Sequence, residues 1–342
     1  MSKNSFLKNK KVLVTGGASF IGSHLTERLS RIALRVRVVD DLSSGKLENI
    51  KDLVKSKSIE FIKADLRESS VAQKAVKNMN YVFHLAGDHG GRGYVDLHQA
   101  ACATNLMLDG NVFWTAKNAG CEKIVFASSG CVYPNFLQTD HKKKIYLKEK
   151  HVGPPYDADN MYGWAKLMAE MTLKAYHDDW GMKTASCRFF TVYGPRGKED
   201  HAVIAMIARA FIKQNPFYVW GDGKQIRNWT YVADIIDGII KVAEKIDGGQ
   251  AINLGTMERI KIIDAVKMIL KYTNHNAKIV FQPNMPTGPV NRVADNSLAQ
   301  KLLGWKPKVK FKDGLKRTID WYFTSKDPKV VTKILKTSLT ER

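Results

Sequence analysis

The residues with the clearest chemical potential in this 342-residue chain are Tyr162 and Lys166, set four apart in Tyr162-Gly-Trp-Ala-Lys166. On a helix this spacing puts phenol and ammonium on one face. A nearby cation favours phenolate, which makes a tyrosine a usable base at neutral pH. The same spacing also describes an ordinary exposed helix pair, so it needs company. Ala127-Ser128-Ser129 supplies some, because it ends an apolar run where a hydroxyl could share the reacting proton.

A second constellation lies near the N-terminus. Val12 to Gly22 reads as a strand, a glycine-rich turn (Gly16, Gly17) and a helix start. Such a turn brings backbone N–H groups and the positive end of a helix against a pyrophosphate. Asp40 ends the next β-rich run, where an acid bonds the adenosine ribose hydroxyls and repels a 2′-phosphate, favouring NAD over NADP. Asp41 beside it strengthens that preference. Asp65, after the third run, is placed to meet the adenine edge.

The elements that must position these groups alternate. Strands are expected at Lys11–Thr15, Val36–Asp40, Ile59–Lys63, Tyr81–Ala86, Ile124–Ser128 and Thr184–Phe189. Helices are expected at Ile21–Leu29, Val71–Lys77, Asn105–Ala119 and Tyr162–Trp180. Strands alternating with helices imply βαβ units, and nearly continuous apolar strands imply a sheet covered on both faces. The expected fold class is α/β, a Rossmann-type doubly wound parallel sheet with a smaller mixed α/β substrate lobe. Residues 1–193 form the NAD-binding domain, with 229–255 returning to it. Residues 194–228 and 256–323 form the lobe, and 324–342 a polar tail, either a surface helix or frayed.

Composition narrows the class. A hydrophobic share of 44% supports a full core. No apolar run is long enough to span a bilayer, and Met1 to Lys11 lacks the apolar region of a secretory signal, so a cytoplasmic protein without membrane contact is expected. Cys102, Cys121, Cys131 and Cys187 form no C-x-x-C pair, which argues against a disulfide scaffold or a zinc site; no metal is expected. The net charge of +21 is scattered, its only dense run being Lys142-Lys143-Lys144, and no nucleic-acid motif accompanies it. A lysine-rich surface attracting a small polyanion is the expectation, without nucleic-acid binding.

Together, Thr15-Gly16 through Gly22, Asp40, Ser129, Tyr162/Lys166 and Tyr193-Gly194-Pro195 resemble the extended short-chain dehydrogenase/reductases, in their nucleotide-sugar epimerase and dehydratase branch. The resemblance runs from about Lys11 to Phe323, with Ser19 standing where the family's middle glycine would be. It implies a tightly held NAD that oxidises a sugar hydroxyl to a ketone. Tyr162 would remove the hydroxyl proton, Lys166 would hold the nicotinamide ribose and depress the tyrosine pKa, and Ser129 would align the substrate. The implied cofactor site adds Gly16, Ser19, Phe20, Ile21, Gly22, Asp40, Asp65, Leu66, Ala86, Asn105 and Ser128. Arg227, in the run Trp220 to Trp229, resembles the family's nucleotide clamp on the diphosphate. Arg292 resembles its second phosphate contact, a role that suits the arginine fork. A homodimer through the helices Asn105–Ala119 and Tyr162–Trp180 is implied as well.

Three reactions follow from a ketone at C4. A 4-epimerase, as for UDP-glucose or UDP-glucuronate, returns the hydride to the other face. A 4,6-dehydratase commonly needs an Asp-Glu pair after the strand-five hydroxyl, where this chain has Gly130 and Cys131. Epimerisation beside the ketone uses the acidity it lends to C3 and C5, with a base on one face and an acid on the other. Ser128 to Pro134 resembles the S-S-A-C-I-Y-P run of GDP-mannose 3,5-epimerases, in which the cysteine is one of that pair. GDP-fucose synthases have a similar cysteine. Their second group falls here on His201, at the start of the helix expected over Val203–Lys213. The run His84 to Tyr94, with Gly91, Arg92 and Gly93, resembles the 3,5-epimerases' glycine loop on the substrate. Alone, Cys131 reads as a packing residue and His201 as a helix-start histidine; together they read as the acid/base pair of an NAD-dependent nucleotide-sugar epimerase. A protein that binds NAD without turnover is the reading from another class, and the intact Ser129/Tyr162/Lys166 set speaks against it.

Overall fold

The computed structural model describes residues 5–337. Six strands come first: β1 (Lys11–Thr15), β2 (Arg35–Asp40), β3 (Glu60–Lys63), β4 (Tyr81–His84), β5 (Lys123–Ser129) and β6 (Lys183–Phe189). With the strand Gly248–Leu254 they form one seven-stranded sheet in the order Gly248–Leu254, β6, β5, β4, β1, β2, β3. Every neighbouring pair is parallel. The strands are apolar on both faces because helices cover both. Val12 and Val14 face a core shared with the helices Phe20–Leu29 and Val232–Lys245, while Leu13 faces Val112, Phe113 and Leu173 of Asn105–Asn118 and Asn160–Trp180. That alternation is the period-two pleat. Chain order reverses between β1 and β4, and a doubly wound sheet opens its binding crevice at such a point. The expected Rossmann-type architecture is the observed one.

The second lobe has its own short pairings. Phe217–Trp220 runs parallel to Ile279–Gln282, and Ile226–Arg227 lies between Ile260–Lys261 and Asn291–Arg292. Helices Ala202–Phe211, Ile262–Tyr272 and Phe311–Ser325 close over a core centred on Trp229 and Phe311, whose rings stack 4.9 Å apart. The expected lobe span of 256–323 is interrupted. Ala299, Leu303 and Trp305 pack into the core of the large sheet, and the Trp305 indole donates to the Asp234 carbonyl at 3.0 Å.

The expected tail begins in an ordered element. Pro328–Thr337 is a helix whose Val331 is buried in the lobe core; 338–342 lie outside the described residues. Among the described residues no helix is long and apolar enough to cross a membrane. Val331→Asp would bury a carboxylate without a partner and is expected to destabilise the fold by roughly 2 kcal/mol or more. Val330→Asp, on the exposed side of the same turn, is expected to change stability by about 0.5 kcal/mol at most. Denaturant unfolding of the two variants checks the packing of this helix.

Candidate active site

The turn after β1 is built for close approach. Gly16 has φ +67°, a conformation that glycine adopts without strain, and a Cβ there would lie 2.8 Å from the Ala86 nitrogen. At Gly22 a Cβ would meet the Gly16 carbonyl oxygen at 2.0 Å, so the helix starts directly on the turn. Ser19 has φ −75° and needs no glycine; its hydroxyl donates to the Gly16 carbonyl at 2.6 Å. Asp40 is buried at the cleft, its carboxylate accepting the Ala18 and Leu42 N–H groups at 2.9 Å each. Asp65, Leu66 and Ala86 line the same cleft, and Asp65 pairs with Arg67 at 2.6 Å. A glycine cradle at a helix start, facing an acid on the neighbouring strand, fits a dinucleotide. Asn105 lies behind the cleft wall formed by Asp88. It is fully buried and staples both backbone groups of Asp88, accepting from its N–H at 2.6 Å and donating to its carbonyl at 2.9 Å.

This cleft continues into a cavity of about 360 Å³ between sheet and lobe, lined by Ser129, Cys131, Tyr162, Lys166, His201 and Arg227 among others. Phe20, Ile21 and Ser128 also line it, the Ser128 hydroxyl donating to Glu170. The Lys166 ammonium lies 4.4 Å from the Phe126 ring and 5.8 Å from the Tyr162 ring. Below them His84 is held between the Thr15 hydroxyl (2.7 Å) and Asp109 (2.8 Å), and burial lowers its pKa despite the carboxylate. The expected depression of the Tyr162 phenol is absent. Burial pushes it well above the ordinary value, the nearby Cys131 adds to that, and the hydrogen bond with Ser129 only partly opposes it. Lys166 is itself lowered by desolvation.

Cys131 sits in the turn after β5, and Ser129 accepts its N–H at 3.1 Å. Its Sγ lies 3.2 Å from Nη1 of Arg292. The remaining nitrogens of that guanidinium reach Gln138 Oε1 at 2.7 Å and Asp159 Oδ2 at 2.8 Å. Arg292 thus meets a thiol, an amide and a carboxylate through three of its five N–H groups, and it lines the cavity. Asp159 also holds Arg92 at 2.7 Å. Arg227 is different: it donates only to the carbonyls of Ile226 (2.8 Å) and Thr287 (2.7 Å). Burial, with Arg292 and Arg92 nearby, lowers its pKa to about 9. A guanidinium without a carboxylate in a cavity is a place for an anion.

His201 is the N-cap residue of Ala202–Phe211, with Nε2 3.9 Å from Asp200 Oδ1. The Gly91 N–H donates to Asp200 Oδ2 at 2.9 Å, and a Cβ on Gly91 would fall 1.8 Å from the Asp200 carbonyl oxygen. The glycine loop is thus packed onto the segment that carries His201. Gly91 and Arg92 line the cavity, whereas Gly93 is buried in the helix Arg92–Leu97 behind them. Sequence reasoning missed Asp159, Asp200 and Arg209. Asp159 stands at a helix N-cap position, a signal that marks a helix start without revealing two distant arginines. Among the described residues no group of three or more His, Cys, Asp or Glu is placed to hold a metal ion.

A nucleotide crevice opening onto Ser129, Tyr162 and Lys166 defines an enzyme of the extended short-chain dehydrogenase type. The chain belongs to the NAD dependent epimerase/dehydratase family, whose model matches residues 12–255. NAD is its cofactor. It is 31% identical over 321 residues to a GDP-mannose 3,5-epimerase of Arabidopsis thaliana, covering 92% of this chain and 82% of the relative. Among solved structures, UDP-glucose 4-epimerase of Thermotoga maritima superposes with a TM-score of 0.82 at 28% identity, covering 92% of this chain and 99% of the other. UDP-glucuronic acid 4-epimerase of Bacillus cereus, solved with UDP-glucuronic acid and NAD, gives a TM-score of 0.82 at 29% identity, covering 91% and 98%.

Asp159 also sets a pH dependence. Burial alone would raise its carboxyl, but Arg292 and Arg92 outweigh it and hold it below the ordinary value of 3.8. Its contribution to stability is therefore complete above that ordinary value and lost as pH falls through the lower folded one. Asp159→Asn leaves the Arg292 guanidinium without a carboxylate, whereas Arg92 keeps Asp96 at 2.5 Å, and is expected to cost about 3 kcal/mol at pH 7. The deficit should shrink below about pH 4. Denaturant unfolding of both proteins across that range checks the sign.

Proposed function

We propose that this protein is an NAD-dependent nucleotide-sugar epimerase that oxidises the sugar at C4, inverts C3, C5 or both, and reduces C4 again. The observation that carries the reading is the Cys131 thiol against Arg292, in the cavity that also holds Tyr162 and His201. When bound, NAD would supply the hydride acceptor and a positive charge that favours phenolate. The Tyr162 oxygen takes the C4 hydroxyl proton, with Ser129 sharing the hydrogen bond. Lys166 would hold the cofactor's ribose. The ketone acidifies the neighbouring C–H bonds. Cys131 and His201 then act from opposite faces of the ring, one removing a carbon-bound proton and the other delivering one. Arg292 offers a counter-charge whenever the sulfur is a thiolate. Arg227 takes the diphosphate.

The assembly belonging to this reading is a homodimer. Leu106, Met107 and Trp114 on the helix Asn105–Asn118, with Trp164, Met168 and Met171 on Asn160–Trp180, leave an apolar stripe exposed. Two such stripes meeting would remove it from water.

Turnover of a panel of nucleotide sugars in heavy water, read by NMR, tests the chemistry. Deuterium is expected at C3 or C5 of the product, with a loss of about a hundredfold or more in Cys131→Ala. Tyr162→Phe is expected to abolish turnover altogether. Inversion at C4 without any uptake would replace this reading with a simple 4-epimerase, the activity named for the two solved relatives.

For the assembly, the double substitution Met107→Lys, Met168→Lys is expected to give monomers in analytical ultracentrifugation where the unmodified protein sediments as a dimer. A dimer that survives the two lysines would place the interface elsewhere.

A further inference from the structure

Arg209 is a charged side chain of the cavity that has no part in the chemistry above. Arg209, near the end of the helix Ala202–Phe211, is 6% exposed and lines the cavity, and among the described residues its guanidinium has no hydrogen-bond or ion-pair partner. Burial lowers its pKa to about 10, with no neighbouring charge contributing. It therefore stands apart from Arg92, Arg227 and Arg292, which feel one another. Holding an unpaired cation out of water is costly, and a ligand with matching acceptors would recover that cost.

The position along the helix suggests which part of a ligand. His201, Ala202, Ala205, Met206 and Arg209 share the cavity-facing side, and eight residues at about 1.5 Å each place Arg209 about 12 Å along the axis from His201. A diphosphate and a ribose can lie between them. The strand Phe217–Trp220 follows this helix in sequence and packs against it, and its residues enter the same cavity wall. Tyr218 and Trp220 of Phe217–Trp220 present rings from one side of a strand, and Gln225 has a buried Oε1 with no partner. Aromatic walls with an unpartnered donor fork and an unpartnered acceptor are what a nucleobase needs, stacking for its face and hydrogen bonds for its edge.

We propose that Arg209 reads the nucleobase and selects guanine, so that the substrate is a GDP-sugar; this rests on the nucleotide-sugar reading of the site. Guanine presents O6 and N7 as adjacent acceptors, which a guanidinium fork meets with two parallel hydrogen bonds. Gln225 Oε1 accepts from a ring or amino N–H of the base. Uracil has no edge with two adjacent acceptors, and adenine sets an amino donor beside its N7, which would face the guanidinium.

Calorimetric binding of GDP, UDP and ADP to the NAD-loaded enzyme tests this without relying on turnover. GDP is expected to bind about tenfold or more tightly than UDP or ADP. Arg209→Met is expected to weaken GDP by roughly ten- to a hundredfold while changing UDP by less than about threefold. Arg209→Lys keeps the charge and removes the fork, so it is expected to lose the preference for GDP as well. Equal affinity for GDP and UDP in the unmodified enzyme would overturn the proposal. So would equal loss of both in Arg209→Met, because Arg209 would then be a phosphate contact. Both results leave the isotope test of the epimerase reading standing, whereas failure to bind any of the three nucleotides would overturn both.

Discussion

The carboxylate of Asp159 is the contact on which the rest of the site depends. It is 4% exposed and is shared by Arg92 from the glycine loop and Arg292 from the second lobe. Its own backbone N–H donates to the Cys131 carbonyl at 2.8 Å. One residue thus fixes the main chain of the cysteine turn and the guanidinium that touches its sulfur. Asp159 is also the N-cap residue of Asn160–Trp180, where the positive end of the helix favours a negative charge. Three residues on, Tyr162 enters the cavity. The next, Gly163, lets the helix touch the turn, since a Cβ there would fall 2.4 Å from the Cys131 carbonyl oxygen. Tyr162 and Cys131 are consequently held by one helical turn, so neither can shift without the other.

The cofactor side depends on topology instead of an ion pair. Reversal of strand order at β1 and β4 leaves two strand ends with no crossover helix between them. Gly16 and Ala86 leave those ends in near contact, and the Thr15 hydroxyl accepts the N–H groups of both Leu85 and Ala86 at 3.1 Å. His84 and Asp109 continue this buried chain toward Lys166. The crevice floor is therefore tied together by the protein's own hydrogen bonds.

The parts of this arrangement legible in the sequence are those set by local pattern. The expected strand Lys11–Thr15 coincides with β1, and the other five expected strands overlap β2 to β6, because apolar runs between turn signals leave little choice of period. The glycine turn and Asp40 fall at the ends of β1 and β2, where that pattern puts them, and Tyr162 and Lys166 lie one turn apart on the helix Asn160–Trp180. The partners of Arg292 were not legible. Asp159 lies 133 positions away and Cys131 161, and nothing in the run Asn291 to Asp295 indicates which distant groups it will meet. Val331 was hidden similarly, as one apolar position in a polar stretch whose burial depends on the lobe it folds against. The Tyr162 phenol shows a subtler limit. A four-residue spacing predicts proximity of a cation, yet the outcome depended on how far both groups are removed from water.

Desolvation also decides what the basic character of the cavity means. Arg92 and Arg292 share the charge of Asp159, and Lys166 is lowered by burial, so these groups attract an anion less than their number implies. Arg227 and Arg209 keep a positive charge at neutral pH with no carboxylate against it. In a cavity with low-dielectric walls such charges act over several ångströms, and the scattered surface lysines behind the net charge of +21 extend their field outward. Around Cys131 the charges are matched within the protein, the two guanidiniums against the Asp159 carboxylate. The cations without a carboxylate in contact, Arg227 and Arg209, are the ones that an anionic ligand would complete.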